Sequence, residues 1–453
     1  MFRTVELPVW LLVLILLFAT VTFASHFLFP SVRWFFRRRM ERVVAQINER
    51  LERPIQPFKL ARRYDMIQRL IYDPKVAEAT AEHVQDTGVP ENVAFEAARR
   101  YAREIVPSFS ATAYFTVAIR LARWLGRWLY RVHLDESNDA ALKAIDGDAT
   151  VIFVMNHRSN MDYVLVTYLV AERSALSYAV GEWARVWPMS GLIRAMGAYF
   201  IRRKSRNALY RRVLARYVQL ATRGGVAQAF FPEGGLSLDG AVGPPKLGLL
   251  SYVLADFDPQ VGRDVVFVPV ALNYDRVLED RVLTSAAQDG RRRFRTSISQ
   301  ALGFAVGYVF RRMTGHAKRF GVAGVSYGAP LSLAQFLAGR PQDGRKNDGI
   351  KAVGLELRRR IRATVPVLPV PLVAYVLDMA GGPVPRDDLV QQVEHLLQRR
   401  TSVLIQNSPN IVQDSVTALL DRGIIVQGPD GIVADPEQKV LLAYYARSIE
   451  HLM

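Results

Sequence analysis

Residues 150–163 read TVIFVMNHRSNMDY, and this stretch decides the fold that we expect for the chain. It begins with an apolar, largely β-branched run, which is typical of a strand buried on both faces. The sequence then turns polar at Asn156, as at the opening of a new helix. In open α/β folds the chemistry lies beyond the carboxyl ends of the strands. The stretch therefore predicts both an α/β fold and the place of its site.

His157 and Asp162 are the side chains in this stretch whose spacing indicates proton transfer. If Ser159 or Asn160 caps the new helix, Asp162 lies in its first turn and reaches back to the imidazole. A carboxylate on one ring nitrogen fixes the tautomer and leaves the other nitrogen free to take a proton. We interpret His157 as a general base oriented by Asp162. A helix cap with an incidental histidine is the alternative, and the segments below weigh against it.

The composition favours anionic partners and restricts the chemistry. The chain has 453 residues and a formal net charge of +17, which suits phosphorylated substrates, an anionic membrane surface or nucleic acid. Cysteine is absent, which excludes disulfides, thiolate nucleophiles and cysteine metal sites. Seven histidines are the candidates for a base near neutral pH. We expect neither a metal nor a bound cofactor.

The first segment is predicted to anchor the chain in a membrane. Residues 7–29 contain no Asp, Glu, Lys or Arg, which is long enough to span a bilayer. Many arginines follow between residues 33 and 42, so the positive-inside rule places the rest of the chain in the cytoplasm. We predict an anchor over residues 1–33 in the cell (inner) membrane. A cleaved signal peptide, with Ala24 as the cleavage position, and a helix lying in the interface are the alternatives.

Residues 34–134 are predicted to be helical, and their last part interleaves aromatic residues with arginines. Trp124, Trp128 and Tyr130 alternate there with Arg123 and Arg127. This mixture suits a helix seated at a membrane surface. A core helix whose arginines extend to the solvent fits the pattern equally well.

Two further segments carry candidate binding residues. GAYFIRR at residues 197–203 places Arg202 and Arg203 directly after an apolar run. A planar guanidinium binds phosphate through paired hydrogen bonds, so the two arginines are a candidate phosphate clamp. The second segment, VAQAFFPEGGLS, is a predicted strand followed by candidates for substrate contacts: Glu233, Gly234, Gly235 and Ser237. A solvated basic face and a simple turn are the respective alternatives.

The glycines of the second segment let the backbone approach a ligand and leave N–H groups free to face an anion. Glu233 is a candidate for orienting a substrate hydroxyl or for holding an arginine. Lys246, in the loop GPPKLG, is a candidate second phosphate contact.

Pro269 in the next apolar run predicts an edge, an end or a bulge of the sheet. A G-x-S-x-G sequence surrounds Ser326, but Pro330 follows too soon for the strand–turn–helix of a nucleophile elbow, and we reject that serine.

Residues 349–453 are predicted to be helical, with a closing order of helix, helix, hairpin and helix that is typical of winged-helix modules. The second of these helices carries Asp414 and Asp421 and a single basic residue, Arg422. That charge is poor for a recognition helix, so we expect no nucleic-acid partner. The predicted organisation is thus an anchor (1–33), a helical region (34–134), an α/β domain (135–348) and a C-terminal helical domain (349–453).

Four motifs in order resemble the glycerolipid acyltransferase family: NHRSNMD, GAYFIRR, FPEGGLS and VPV, over roughly residues 150–272. Each motif is weak alone, whereas the ordered set is specific. The HRS sequence, the terminal LLAYYARSIEHLM and the helical segment before residue 134 look most like the membrane-bound glycerol-3-phosphate branch. The resemblance covers most of the chain and implies a mixed sheet flanked by helices. The chain is much shorter than typical members of that branch.

One position departs from the family pattern. Leu236 stands where the family usually has an arginine, and this removes one expected phosphate contact. Either the remaining candidates bind the phosphate or the acceptor differs. The candidates for substrate binding that complete the set are Arg158, Ser159, Arg202, Arg203 and Lys246.

The resemblance implies acyl transfer without a covalent intermediate. His157 would deprotonate the sn-1 hydroxyl of glycerol 3-phosphate, and the alkoxide would attack the thioester of acyl-CoA or acyl carrier protein. The product would be lysophosphatidate, which partitions into membrane lipid. Acylation of dihydroxyacetone phosphate or lysophosphatidate is the nearest alternative. A serine hydrolase using Ser326 and a non-catalytic basic scaffold at anionic membranes are the alternatives from other classes.

Overall fold

The computed structural model describes residues 8–453 except 136, 171–172, 182–188, 203–204, 206, 261, 290–318, 340–345 and 401–409. The chain divides into two compact units, Met1–Ile55 and Gln56–Met453. The predicted boundaries at residues 33, 134 and 348 remain predictions.

The first unit contains one long helix, α1, at Val9–Asn48. The predicted anchor boundary at residue 33 therefore falls within a continuous helix. In the part of the chain that the structure describes, no helix is both long and apolar enough to cross a membrane. The anchor over residues 1–33 is thus not confirmed and stays a prediction.

The second unit is built around a mixed sheet of eight strands. Seven of them run in the order β1-β7-β6-β2-β5-β3-β4, and β8 pairs with β6. Strands β6, β2, β5, β3 and β4 are parallel neighbours, while β7 and β8 run antiparallel to β6. The strands are β1 (Arg131–Asp135), β2 (Thr150–Met155), β3 (Ser177–Val180), β4 (Tyr199–Phe200), β5 (Gln228–Phe230), β6 (Val265–Tyr274), β7 (Val322–Tyr327) and β8 (Leu331–Ser332). The predicted mixed α/β sheet is confirmed.

Strand β2 lies in the centre of the sheet, as its apolar sequence predicts. All of its residues are buried, and it pairs in parallel with β6 on one side and β5 on the other. Val154 lies opposite Phe230 of β5 and Pro269 of β6. Because the three strands are parallel, their carboxyl ends meet at one edge of the sheet. The polar residues after β2 therefore emerge beside those after β5 and β6.

Pro269 lies inside the long central strand β6, opposite a break in its antiparallel neighbour. That neighbour consists of β7, which pairs with residues 270–274, and β8, which pairs with residues 266–267. Gly328, in the break, donates its N–H to the Pro269 carbonyl at 2.8 Å. The expected irregularity therefore appears as an interruption of the adjoining ladder, which accommodates a residue without an N–H donor.

Helices surround the sheet and form the regions before and after it. In chain order they are α2 (Pro57–Leu60), α3 (Arg63–Ile71), α4 (Pro74–Thr87), α5 (Glu91–Ile105), α6 (Ile119–Leu129), α7 (Asp139–Lys143), α8 (Met161–Val170), α9 (Met189–Ala195), α10 (Ala208–Arg223), α11 (Gly248–Ala255), α12 (Asp280–Gln288), α13 (Leu333–Ala338), α14 (Lys346–Ala363), α15 (Pro369–Ala380), α16 (Arg386–Arg400), α17 (Ile411–Asp421) and α18 (Lys439–Ala446). A π-helical turn, Ala113–Ala118, precedes α6, and short 3₁₀ turns at Pro436–Gln438 and Glu450–Leu452 flank α18.

The last part of the chain has the predicted order of elements. Helices α16 and α17 are followed by an antiparallel hairpin of β9 (Ile425–Gly428) and β10 (Gly431–Ala434), and then by α18. Gly431 adopts a positive φ of 136°, and a Cβ there would lie 2.4 Å from the Val384 backbone. Glycine is therefore needed where the hairpin meets the chain before α16.

The structure also shows where Ser326, the serine of the G-x-S-x-G sequence, lies. It lies inside β7, is 3% exposed and pairs with Ala271 of β6 and Asp135 of β1. A short strand follows rather than a helix. A serine in the middle of a sheet has none of the exposure that a nucleophile elbow provides.

Candidate functional site

The site is organised around an imidazole–carboxylate pair at the carboxyl end of β2. His157 Nδ1 lies 2.9 Å from Asp162 Oδ2, and the two residues are 1% and 0% exposed. Ser159 forms the helix start that brings them together, since its hydroxyl accepts the N–H of Met161 at 3.1 Å. Asp162 then lies in the first turn of α8. The contact with the carboxylate fixes the imidazole proton on Nδ1 and leaves Nε2 as the basic nitrogen.

The carboxylate of Asp162 is held by further donors. Its Oδ2 atom also accepts the backbone N–H groups of Arg158 at 2.7 Å and Ser159 at 3.0 Å. Its Oδ1 atom accepts the hydroxyl of Tyr274 at 2.5 Å. Burial raises the pKa of Tyr274 well above its ordinary value, so this hydroxyl remains a donor. These contacts fix the orientation of the carboxylate before any substrate arrives.

Aromatic rings enclose the imidazole of His157. The ring of Phe231 stacks on it with centroids 3.9 Å apart and an interplanar angle of 18°. Tyr163 meets the imidazole edge-on at 5.6 Å and Phe231 edge-on at 5.0 Å. The two rings thus fix the plane of the imidazole.

Glu233 joins the loop after β5 to the turn after β2. Continuing the β2–β5 register past Val154 and Phe230 brings Glu233 level with His157. Its Oε1 atom accepts the backbone N–H of His157, and its Oε2 atom accepts that of Gly243, each at 3.1 Å. Burial raises the pKa of Glu233 to about 7. Both carboxylate oxygens thus bind main-chain donors, rather than the arginine that the sequence allowed.

The rest of this loop folds back on the same turn. The Ser237 N–H donates to the His157 carbonyl at 2.8 Å, and its hydroxyl accepts the N–H of Gly240 at 3.1 Å. Gly234 has a positive φ of 65°, and a Cβ there would lie 2.8 Å from Cδ of Lys246. The exposed Lys246 therefore crosses the glycine turn directly. Gly235 follows in the same turn and is partly buried.

Arg158 is buried beside the site, under the loop and the C-terminal helix. It is 2% exposed, its Nη1 atom donates to the Gly240 carbonyl, and its guanidinium lies 4.8 Å from the ring centroid of Tyr444. Within the described residues its Nε and Nη2 atoms have no hydrogen-bond partner. A buried guanidinium with open donors provides what an anion requires.

Arg202 is engaged elsewhere. Its Nε and Nη2 atoms donate to the two carboxylate oxygens of Glu104 at 2.8 and 2.6 Å, and Glu104 belongs to α5. Arg202 is therefore paired with a carboxylate in this structure, and the clamp of two arginines stays a prediction. Arg203 lies outside the described residues.

Ser159 and Asn160, between the base and its carboxylate, are held by a residue from a distant part of the sequence. The Ser159 hydroxyl donates to Glu279 Oε2 at 2.7 Å. The backbone N–H and the side-chain amide of Asn160 donate to Glu279 Oε1 at 3.2 and 3.0 Å. Ser159 thus serves as a structural part of the turn in this arrangement.

This geometry makes the chain comparable with families of known proteins. A family model described as "Acyltransferase" matches residues 131–273, which include β1 to β6 and the His157–Asp162 pair. A second model, "Glycerol-3-phosphate acyltransferase C-terminal region", matches residues 307–453. Over these two segments the chain is thus similar to acyltransferases. The resemblance drawn from the four motifs is confirmed.

Curated acyltransferases from bacteria match over nearly the whole chain. Glycerol-3-phosphate acyltransferase of Ectopseudomonas mendocina is 27% identical over 422 residues, which are 87% of this chain and 49% of the relative. The protein of the same name from Shewanella amazonensis is 27% identical over 437 residues, 90% of this chain and 52% of the relative. The chain therefore spans about half the length of the curated relatives that it matches.

A solved acyltransferase structure is also similar in part. The 1-acyl-sn-glycerophosphate acyltransferase of Thermotoga maritima matches 59% of this chain and 83% of its own, with 17% identity and a TM-score of 0.32.

Several residues of this candidate site were missed by sequence reasoning. Tyr274 could have been found, because it ends the strand beside β2 and so lies at the same sheet edge as Asp162. Phe231 could have been found from the same register argument. Glu104 and Glu279 carry no local signal, since only the folded chain brings them to Arg202 and Ser159.

Proposed function

We propose that this acyltransferase moves a long-chain fatty acyl group from acyl-CoA or acyl carrier protein to the sn-1 hydroxyl of glycerol 3-phosphate. The product is lysophosphatidate, a precursor in phospholipid synthesis. The observation that carries the proposal is the buried His157–Asp162 pair, in which Nδ1 faces the carboxylate and Nε2 is left as the base. The names of the curated relatives point to the same acceptor.

The pair supports direct transfer between the two substrates. Nε2 of His157 takes the proton of the acceptor hydroxyl as its oxygen bonds to the thioester carbon. The tetrahedral intermediate collapses, the carbon–sulfur bond breaks, and the imidazolium returns the proton to the leaving thiolate. A positioned base contributes about 10²–10⁴-fold to the rate, so the rest of the acceleration comes from orienting the substrates and from donors to the oxyanion.

The phosphate of the acceptor would be bound by cations around the loop after β5. Arg158 supports this because two of its donors have no partner within the described residues. Lys246 supports it by its exposed position over the Gly234 turn. Leu236 lies partly buried in that turn and provides no charge, which leaves the phosphate to these side chains.

The same proposal places the enzyme at the cytoplasmic face of the cell (inner) membrane, in contact with lipid. Helix α6 supports the contact. Its inner face packs on α8, whereas Leu121 and Trp124 on the outer face are 47% and 57% exposed. The ring of Trp124 stacks on that of the half-buried Trp128 with centroids 5.6 Å apart, and Arg127, the residue before Trp128, is exposed. An exposed tryptophan with an exposed arginine on the same helix suits an anionic lipid surface.

The proposed function is tested by acyl transfer in vesicles. Labelled palmitoyl-CoA and palmitoyl-acyl carrier protein are offered as donors with glycerol 3-phosphate, dihydroxyacetone phosphate or lysophosphatidate as acceptor. We expect lysophosphatidate from glycerol 3-phosphate, lost in His157→Ala and kept in His395→Ala, which replaces an exposed histidine of α16. If another acceptor is preferred, that acceptor takes the place of glycerol 3-phosphate in the proposal. Absence of transfer from both donors would overturn it in favour of the scaffold.

A further inference from the structure

Glu279 binds two of the four residues between the base and its orienting aspartate, namely Ser159 and Asn160. It accepts three hydrogen bonds, from the Ser159 hydroxyl and from the main-chain and side-chain N–H groups of Asn160, at 2.7 to 3.2 Å. Ser159 in turn donates its backbone N–H to Asp162. Glu279 is therefore one residue removed from the carboxylate that orients His157.

The environment of Glu279 is unusual for a carboxylate that serves only solubility. Burial raises its pKa, and the nearby charge of Asp162 acts in the same direction. Within the described ranges, no Lys or Arg forms an ion pair with it; its partners are neutral donors of the turn. Keeping an uncompensated carboxylate in such a place costs stability, so its contacts on the turn have to offset that cost.

The C-terminal region fixes the segment that carries Glu279. The next residue, Asp280, accepts hydrogen bonds from Arg422 Nη2 at 2.5 Å and from the hydroxyl of Tyr445. Tyr445 also accepts the N–H of Val277 at 3.1 Å. Glu279 thus lies between two anchored residues, and its carboxylate is held at a set distance from the catalytic turn.

We propose that Glu279 is a positioning residue for the His157–Asp162 pair, carried on a segment that the C-terminal helix α18 holds in place. The inference rests on the proposed function, because it concerns the geometry of that reaction's base. Glu279 keeps residues 159–160 in the conformation that directs the Ser159 N–H group to Asp162. Without it the turn relaxes, the carboxylate loses donors, and the imidazole loses its alignment with the acceptor hydroxyl.

The test compares Glu279→Gln and Glu279→Ala with the wild-type chain in the vesicle assay. Glu279→Ala is expected to lower kcat about 10–100-fold, the range for hydrogen bonds to a charged group, with the KM of both substrates within about twofold. Glu279→Gln keeps an acceptor for the turn, and its kcat is expected to lie between the two. Glu96→Ala is the matched control, since Glu96 is an exposed residue of α5 paired with Arg99.

A second measurement does not depend on turnover. In protein labelled with ¹⁵N-histidine, the Nδ1–H proton of His157 is shielded from water by Asp162, and His157→Gln assigns its resonance by loss. We expect Glu279→Ala to weaken this resonance through faster exchange with water, while Glu279→Gln and Glu96→Ala retain it. A role in folding alone would lower the melting temperature and leave the resonance of the folded protein unchanged.

The outcomes separate the inference from the proposed function. Unchanged kcat and an unchanged resonance in Glu279→Ala would overturn the inference. So would a loss of activity that merely follows the fraction of unfolded protein; because Glu279→Gln is close to isosteric, it decides the matter if the alanine variant does not fold. If the wild-type chain acylates no acceptor, the proposed function fails, and the resonance alone decides whether Glu279 positions the pair.

Discussion

The proposed base side and the proposed anion-binding side of this site are built in different ways. On the base side, His157 and Asp162 are buried, and the carboxylate accepts main-chain and tyrosine donors at 2.5 to 3.0 Å. On the anion-binding side the cations are scattered. Arg158 is buried with open donors, Arg202 is paired with Glu104, and Lys246 is exposed.

The difference follows from what holds each side. His157 follows β2, and the residues that hold its turn and its carboxylate, Glu233 and Tyr274, follow β5 and end β6; parallel ladders fix the mutual register of these three strands. The cations come from loops and helix ends, which no such ladder aligns. Under the proposed function, the proton-transfer geometry is ready in advance and the anion contacts are completed when the substrate binds. Changes on the base side should therefore lower kcat, and changes on the anion side should raise KM.

The largest effect is expected for Asp162→Asn. The amide can present an N–H donor where the carboxylate accepts, so the imidazole is no longer held with its proton on Nδ1. We expect kcat to fall about 10²–10⁴-fold, the contribution of a positioned base, with little change in either KM. Steady-state kinetics of the variant and of Asp414→Asn, an exposed residue of α17, provide the measurement and its control. A change in KM with an unchanged kcat would mean that Asp162 does not orient the base.

The next effect concerns pH and Glu233, which fastens the loop after β5 to the His157 backbone. Its pKa is raised from 4.5 to about 7 in the folded protein. Between those pH values the folded state holds more protons than the unfolded state, so this group lowers stability as the pH rises. The amide in Glu233→Gln does not titrate, so the stability of this variant lacks that pH-dependent loss.

We therefore expect the unfolding free energy of Glu233→Gln, relative to wild type, to rise by about 1–3 kcal/mol between pH 5 and pH 8. Denaturant titrations of both proteins at the two pH values measure it. The control is Glu437→Gln, at an exposed position in the turn before α18; its unfolding free energy relative to wild type should be the same at both pH values. If the unfolding free energy of Glu233→Gln relative to wild type is also the same at both pH values, the Glu233 carboxyl of the wild-type protein does not titrate in this range.

The contrast between Arg158 and Arg202 tests the anion side directly. Arg158→Met removes a buried cation with open donors, and we expect the KM for glycerol 3-phosphate to rise about 10–100-fold without a change in that for the donor. Arg202→Met removes a partner of Glu104, so we expect a lower melting temperature and a KM within about threefold of wild type. An equal rise in KM would show that Arg202 leaves Glu104 when substrate binds.

The sequence predicted the base side well because that side is local. The β2 strand, the helix start after it and the spacing of His157 and Asp162 all lie within one short stretch, so pattern and capping rules apply directly. The mixed sheet and the order of the last helices and hairpin were also predicted. Pattern rules were less decisive for residues 7–29. The length of this uncharged segment predicted a membrane anchor, which the structure does not confirm.

The parts that were not predicted depend on long-range packing. Glu279 lies 120 residues from Ser159, and Glu104 lies 98 residues from Arg202. An arginine in a motif shows its charge in the sequence, but its partner is decided only when helices pack. The main-chain partners of Glu233, His157 and Gly243, could not be predicted either, because they become its neighbours only in the folded sheet, and its substrate contact stays a prediction.

The smallest effect, and the sharpest comparison within the base side, is expected for Tyr274→Phe. Among the described residues, Tyr274 is the donor to Asp162 Oδ1, whereas Oδ2 accepts two N–H groups and faces the imidazole. Removing the hydroxyl leaves the orientation of the carboxylate to one oxygen. A single hydrogen bond contributes about 0.5–1.5 kcal/mol, so kcat should fall about 3–10-fold.

Tyr130→Phe is a close control for this change. The Tyr130 ring lies 5.4 Å from that of Tyr274, and its hydroxyl donates to the Arg276 carbonyl at 2.9 Å, away from Asp162. Both variants remove one buried hydroxyl, so both should lower the melting temperature by a similar amount. Only Tyr274→Phe should lower kcat. If both variants lower kcat equally, the aromatic packing behind Asp162 matters rather than the hydrogen bond, and the base side is less dependent on its donors than its geometry indicates.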